Sequence, residues 1–236
     1  MDYEGGTDKK LKIKNDSMED QAFRQFLIDV YKAADHVMKP GAPFYIWHAD
    51  SEGANFRGAA KDMGWQIREC LIWVKNSLVL GRQDYQWRHE PCLYGWKAGA
   101  AHYFTDSRAE STVIEDQVNV DKLSKDELKT LCKKLLDPGI KTTVIREKKP
   151  SINDVHPTMK PVKLFGRLVK NSSKRNDIVL DLFGGSGTTI VACEQLNRRA
   201  YLMELDPAYV DVIIDRYQKL TNVEVMRSDG KLWNEL

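Results

Sequence analysis

No apolar run in the chain approaches the roughly 20 residues that a membrane-crossing helix needs, so a helical membrane protein is excluded. Cysteine is scarce: Cys70, Cys92, Cys132 and Cys193 lie 22, 40 and 61 residues apart. No CxxC and no Cys/His pair has zinc-ligand spacing, so each reads as a reduced thiol in or near a core. His36, His48, His89, His102 and His156 are equally scattered, and no metal site is expected. There is no Gly-Lys-Ser/Thr, which excludes a phosphate-binding P-loop. Met1-Asp2-Tyr3-Glu4-Gly5-Gly6 lacks the basic and apolar blocks of a signal peptide, and a cytoplasmic protein is the expectation. Hydrophobic residues make up 42% and charged residues 30% of 236 positions, which suits one large domain or a domain with an insertion.

The net charge of +2 hides an uneven distribution. Residues 1–120 carry −3 and 176–236 carry −4, whereas 121–150 carry +4 and 151–175 carry +5. A block of +9 on a nearly neutral chain suits either a polyanion partner such as nucleic acid or a solvated basic helix face.

Hydrophobic spacing orders the elements. Residues 1–16 read as a polar loop. Ser17 is placed to cap a helix over 17–38, in which Phe23, Phe26, Leu27, Val30, Tyr31, Ala34 and Val37 share one face. Strands are expected at 43–47, 66–75 and 90–96, and a second helix at 51–63. Segment 98–155 changes character, with few apolar runs. Ser124 and Glu127 form a capping box for a basic helix over 125–136. From residue 161 the pattern becomes helix, strand 178–182, helix 188–196, strand 200–204 and helix 208–220. That alternation implies an α/β fold with a doubly wound, mostly parallel sheet.

The chemistry concentrates at Asp181-Leu-Phe183-Gly184-Gly185-Ser186-Gly187-Thr188-Thr189, between a strand and a helix. Ligands of such sheets bind at the carboxyl ends of the strands, where glycines let backbone approach them closely. Glu204, at the end of the next strand, is placed to accept hydrogen bonds from ribose hydroxyls. The pair suits an adenosine-containing ligand. The dinucleotide pattern GxGxxG is half met, because Gly185 and Gly187 fit but Ile190 takes the third position. S-adenosylmethionine fits better than NAD, since its sulfonium end carries an amino acid and no pyrophosphate.

The Asp181–Thr188 loop resembles the methionine-end loop of the amino-methylating DNA methyltransferases. His156-Pro157-Thr158-Met159-Lys160-Pro161 resembles the HPTxKP segment before that loop in the permuted β-type order. Arg82-Gln83-Asp84-Tyr85-Gln86-Trp87-Arg88-His89-Glu90-Pro91 and Leu93-Tyr94-Gly95-Trp96 resemble phage and prophage adenine methyltransferases. The resemblance implies a Rossmann-like methyltransferase sheet, with catalytic-side half 1–97, target-recognition insert 98–155 and cofactor half 156–236. It implies adenine-N6 methylation, with cytosine-N4 methylation on the same scaffold as the alternative, in a phage or restriction-modification setting. Asp181, Phe183, Gly185, Gly187 and Thr188 would line the cofactor, and Glu204 would bind its ribose. His156, Pro157, Thr158 and Lys160 would cover it from the other side. Arg82, Trp87, Lys125, Lys129 and Lys133 would meet duplex DNA, and Tyr85 and Tyr94 are further candidates for the target base.

The family holds a flipped base with a [DNS]PP[YFW] tetrapeptide, and these 236 residues contain no Pro-Pro. Asp137-Pro138 is followed by Gly139 and Asp206-Pro207 by Ala208, so neither substitutes. The expectation is that Met1 falls just after that motif and that turnover by this chain is small or nil. The strand at 178–182 would then have an unpaired edge, open to an N-terminal fragment or a second copy of the chain. A non-catalytic DNA- or cofactor-binding remnant and a nicotinamide-dependent oxidoreductase are the rival readings.

Overall fold

The computed structural model describes residues 18–79, 84–107, 110–115, 124–126, 129 and 160–233. They belong to two compact units, Met18–Lys149 and the C-terminal Pro150–Leu236.

In the first unit, α1 (Asp20–Val37) buries Leu27, Tyr31 and Ala34, the i, i+4, i+7 set of an amphipathic helix. Glu19 precedes it with extended backbone and no side-chain cap bond, and Ser17 lies outside the described residues. A short 3-10 turn, Asp50–Glu52, leads into α2 (Gly53–Asp62), which packs on α1. Strands β1 (Pro43–Trp47), β2 (Gln66–Val79), β3 (Trp87–Trp96) and β4 (Val113–Glu115) form one sheet in the order β1-β3-β2-β4. β3 is antiparallel to both its neighbours, while β4 is parallel to β2. Only seven residues separate β2 from β3, too few for a parallel crossover, and the two strands pair antiparallel. β2 runs further than the expected 66–75, and its register against β3 shifts between Ile67 and Glu69 and between Val74 and Val79.

Trp65 organises the core between helices and sheet. Its ring stacks between Tyr31, at 5.0 Å, and Phe44, at 4.8 Å. Its Nε1–H donates to Asp35 Oδ1 at 2.9 Å, and Lys97 Nζ donates to Asp35 Oδ2, also at 2.9 Å. These bonds hold the carboxyl of Asp35 below its usual range, the Lys97 bond most strongly. Gly95 makes room: a Cβ there would stand 2.3 Å from the Gln66 carbonyl and 2.6 Å from Phe44 Cζ. Trp73, Leu93 and Ile114 are fully buried in the sheet.

In the second unit, α3 (Val162–Ser172) packs on α4 (Thr188–Leu196). β5 (Ile178–Asp181) and β6 (Arg199–Leu202) pair in parallel, with Ile178 opposite Arg199 and Asp181 opposite Leu202. α5 (Pro207–Thr221) follows, capped by Asp206, whose Oδ1 accepts from Ala208 N at 3.1 Å. Asn197 and Asn222 end α4 and α5 in the left-handed conformation, with φ of 58° and 55°. Among the described residues β5 pairs with β6 alone. The α/β class expected from the sequence is the observed one, with antiparallel as well as parallel pairs.

Candidate functional site

The register of β5 and β6 brings their carboxyl ends level, so the two loops that leave them run side by side. Met203 N donates to Asp181 O at 2.9 Å, and Gly184 N donates to Met203 O at 2.8 Å. These bonds carry the ladder past the strands and place the glycine loop against the loop that holds Glu204. Gly187 N then donates to Gly184 O at 2.8 Å, closing a tight turn at the start of α4. Gly185 and Gly187 have φ of 54° and 76°, values that favour glycine. Packing is tight as well: a Cβ on Gly184 would meet Ile213 Cδ1 at 3.0 Å, and one on Gly187 would meet Ile213 at 3.2 Å, so Ile213 would have to give way.

Each acid expected from the sequence is here, and each holds backbone. Glu204 Oε2 accepts from Gly185 N at 2.8 Å, and its Oε1 accepts from Asp206 N at 2.9 Å. Asp181 Oδ1 accepts from Phe183 N at 3.0 Å, and its Oδ2 accepts from Thr189 Oγ1 at 2.5 Å. Burial pushes the Asp181 carboxyl above its usual range, and the Thr189 and Phe183 bonds only partly offset this. Thr188 is buried, and its hydroxyl donates to the Lys160 carbonyl at 3.2 Å, tying the end of the HPTxKP segment to the start of α4. Phe183 and Leu205, one from each loop, are large apolar side chains left 61% and 72% exposed.

The arrangement suits a ligand with both polar and apolar parts. Two carboxylates and a glycine turn line the ends of parallel strands, and exposed apolar side chains flank them. Each Glu204 oxygen has a second lone pair available to a hydroxyl. The residues present therefore fit S-adenosylmethionine, an adenosine that carries an amino acid and a sulfonium.

Thr189, Ser186 and Arg216 take parts in this site that the sequence did not assign to them. Thr189 is the immediate neighbour of Thr188, and only the helix geometry distinguishes them. Arg216 is 30 residues from Ser186, with no local signal to connect the two.

The remaining candidates lie in the first unit or outside the described residues. Trp87 opens β3, 38% exposed, with its ring edge-on to His89 at 5.5 Å. Tyr85 is 91% exposed, whereas Tyr94 is a core residue stacked on Tyr45 at 4.9 Å and is not on the surface. Lys125 and Lys129 are helical and exposed. Arg82, Lys133, His156, Pro157 and Thr158 lie outside the described residues. Among the described residues no helix is long and apolar enough to cross a membrane, and no group of His, Cys, Asp or Glu is placed to hold a metal ion.

The family model for N6/N4 methyltransferases, described as DNA methylase, matches residues 3–215. Type II methyltransferase M.BglII from Bacillus subtilis is 26% identical over 214 residues, covering 85% of this chain and 58% of that protein. The chain thus spans little more than half the length of that relative. Among solved structures, the M1.HpyAVI–SAM complex superposes with a TM-score of 0.61 at 21% identity, covering 85% of each chain. The cytosine-N4-specific PvuII DNA methyltransferase superposes with a TM-score of 0.59 at 17% identity, covering 90% of this chain and 77% of that one.

Proposed function

The chain belongs to the N6/N4 DNA methylase family, and from that premise we propose that it serves methyl transfer from S-adenosylmethionine to the N6 amine of adenine in duplex DNA. The observation that carries the reading is the Glu204–Gly185 bond, which joins the ribose acid to the glycine turn across two parallel strand ends. When bound, the cofactor supplies an electrophilic methyl on a sulfonium. The protein's own residues have the task of binding it: Gly185 and Gly187 leave room for its methionine end, while Phe183 and Leu205 offer apolar surface. Lys160, Thr158, Pro157 and His156 complete the cover. A flipped amine would displace the thioether from the methyl, the S–CH3 bond breaking as the N–CH3 bond forms, and the methylated amine would then lose one proton to solvent.

The segment 98–155 is assigned to target recognition, with Lys125, Lys129 and Lys133 meeting phosphates, Arg82 and Trp87 also meeting DNA, and Trp87 a candidate contact for the target base. The setting proposed is the cytoplasm of a bacterial or phage-infected cell. These 236 residues contain no Pro-Pro, so transfer by them alone is proposed to be weak or absent until a strand bearing a DPPY-type tetrapeptide is supplied. The adenine assignment rests on the resemblance of residues 82–96 to adenine methyltransferases. Cytosine-N4 is the second reading, favoured by the superposition on a cytosine-N4-specific enzyme.

The test is transfer of label from S-adenosylmethionine to mixed-sequence duplex DNA by the chain extended upstream with such a segment, followed by digestion to nucleosides. Label in N6-methyladenine is expected. Label in N4-methylcytosine selects the second reading. Label in neither, with cofactor bound, overturns the enzyme assignment in favour of a non-catalytic binder.

A further inference from the structure

Ser186 stands at the crest of the glycine loop, between two residues that have no side chains with which to anchor it. It is nevertheless 5% exposed. Its side chain and its carbonyl both meet Arg216, on the third turn of α5. Its guanidinium donates to the Ser186 carbonyl and, at 3.2 Å, to Ser186 Oγ. One turn earlier on the same helix, Ile213 lies against Gly184 and Gly187 from below. α5 therefore holds the loop by two contacts, one apolar and one charged. Glu204 holds the neighbouring amide, Gly185 N, from the β6–α5 connection. A hydrogen bond from a charged donor to a buried carbonyl is among the stronger single bonds available, and its loss leaves that carbonyl unsatisfied.

We infer that Arg216 is a positioning residue for the cofactor loop, fixing the Ser186 peptide so that the Gly185–Gly187 backbone is ordered before the ligand arrives. It acts through the loop and does not touch the cofactor. Ordering that loop on binding would otherwise subtract conformational entropy from the affinity. The inference rests on the reading of the loop as an S-adenosylmethionine site.

The experiment compares the full chain with Arg216→Met, which keeps the stem, Arg216→Lys, which keeps charge and donors, and Ser186→Ala, which removes one acceptor. Three quantities are read: hydrogen exchange of the 185–188 amides without cofactor, the S-adenosylmethionine dissociation constant and off-rate, and Tm. Arg216→Met is expected to speed loop exchange while leaving β3 exchange unchanged, and to weaken binding about tenfold, mostly through the off-rate. Arg216→Lys should recover most of that affinity, and Ser186→Ala should cost less than Arg216→Met. A lower Tm with unchanged loop exchange and unchanged affinity would make Arg216 a merely structural residue and overturn the inference. If the parent chain binds no S-adenosylmethionine, the functional reading fails, and loop exchange in the variants still decides the role of Arg216. If Arg216→Met does not fold, Arg216→Gln, which loses the charge and most of the donors, takes its place, and loop exchange and affinity unchanged in it overturn the inference.

Discussion

Three glycines separate backbone strain from packing and give opposite signs for one chemical change. Gly166 lies inside α3, where an added Cβ would touch only Leu196 Cδ1 at 3.8 Å. Alanine there fits the helix and reduces unfolded-state entropy, so Gly166→Ala should stabilise by about 0.5–1 kcal/mol. Gly64 has φ of 72° with nothing within 4 Å of its Cβ position. Alanine there meets backbone strain alone, about 1–2 kcal/mol. Gly187 has φ of 76°, and its Cβ would also stand 3.2 Å from two Ile213 carbons and 3.4 Å from Ile190. Strain and overpacking together should cost about 2–4 kcal/mol. For a chain of this size that is a Tm lower by roughly 5–15 °C, against a rise of about 1–4 °C for Gly166→Ala. Urea melts at fixed temperature give the same ranking without assumptions about heat capacity. A Gly187→Ala variant as stable as Gly64→Ala would show that Ile213 does not support the loop as described. A destabilised Gly166→Ala would refute the placement of that residue in an open helix face.

Asp35→Ala removes the acceptor shared by Trp65 and Lys97 and should cost about 2 kcal/mol at neutral pH. Because the Asp35 pKa is lowered on folding, its contribution is present above the unfolded value of about 3.9 and is lost as pH falls through the folded value, so parent and variant melts should converge in acid. Asp181 has the opposite sign. Its raised pKa means that ionising it weakens the folded state as pH climbs from about 4, and Asp181→Asn should flatten that part of the Tm–pH curve while weakening cofactor binding. An unchanged curve would contradict the buried placement of that carboxyl. Neutralising Lys125, Lys129 and Lys133 together should reduce the salt slope of DNA binding by up to about 2.7, and an unaltered slope would make the basic block only a soluble face.

Much of this was legible from local pattern. The 3–4 spacing of Leu27, Tyr31 and Ala34 gives α1, and the Gly-rich turn between apolar strand and helix gives the site. Asp206-Pro207 marks the start of α5 because a capping carboxylate and a first-turn proline are both local devices. What local pattern does not carry is pairing. β4 is a three-residue strand in a segment without strand-like alternation, and its place beside β2 is decided by the sheet rather than by Val113–Glu115 themselves. The extension of β2 beyond residue 75 likewise depends on β3 as a partner. In the site, the sequence pointed to Asp181 and Glu204 as ligand groups. Their bonds to Phe183, Thr189, Gly185 and Asp206 show that both also build the loops they sit in. Tyr94 reads either as a contact for the target base or as core, and it falls in Pro91–Gly95 of β3, where every residue is buried.

The most direct measurement is a calorimetric titration of this chain with S-adenosylmethionine, with NAD as the competitor ligand and Gly185→Asp as the control. The account predicts one S-adenosylmethionine site, no heat from NAD, and loss of binding in the variant, whose carboxylate would fill and charge the methionine end. Binding of NAD, or S-adenosylmethionine affinity unchanged by Gly185→Asp, would contradict it.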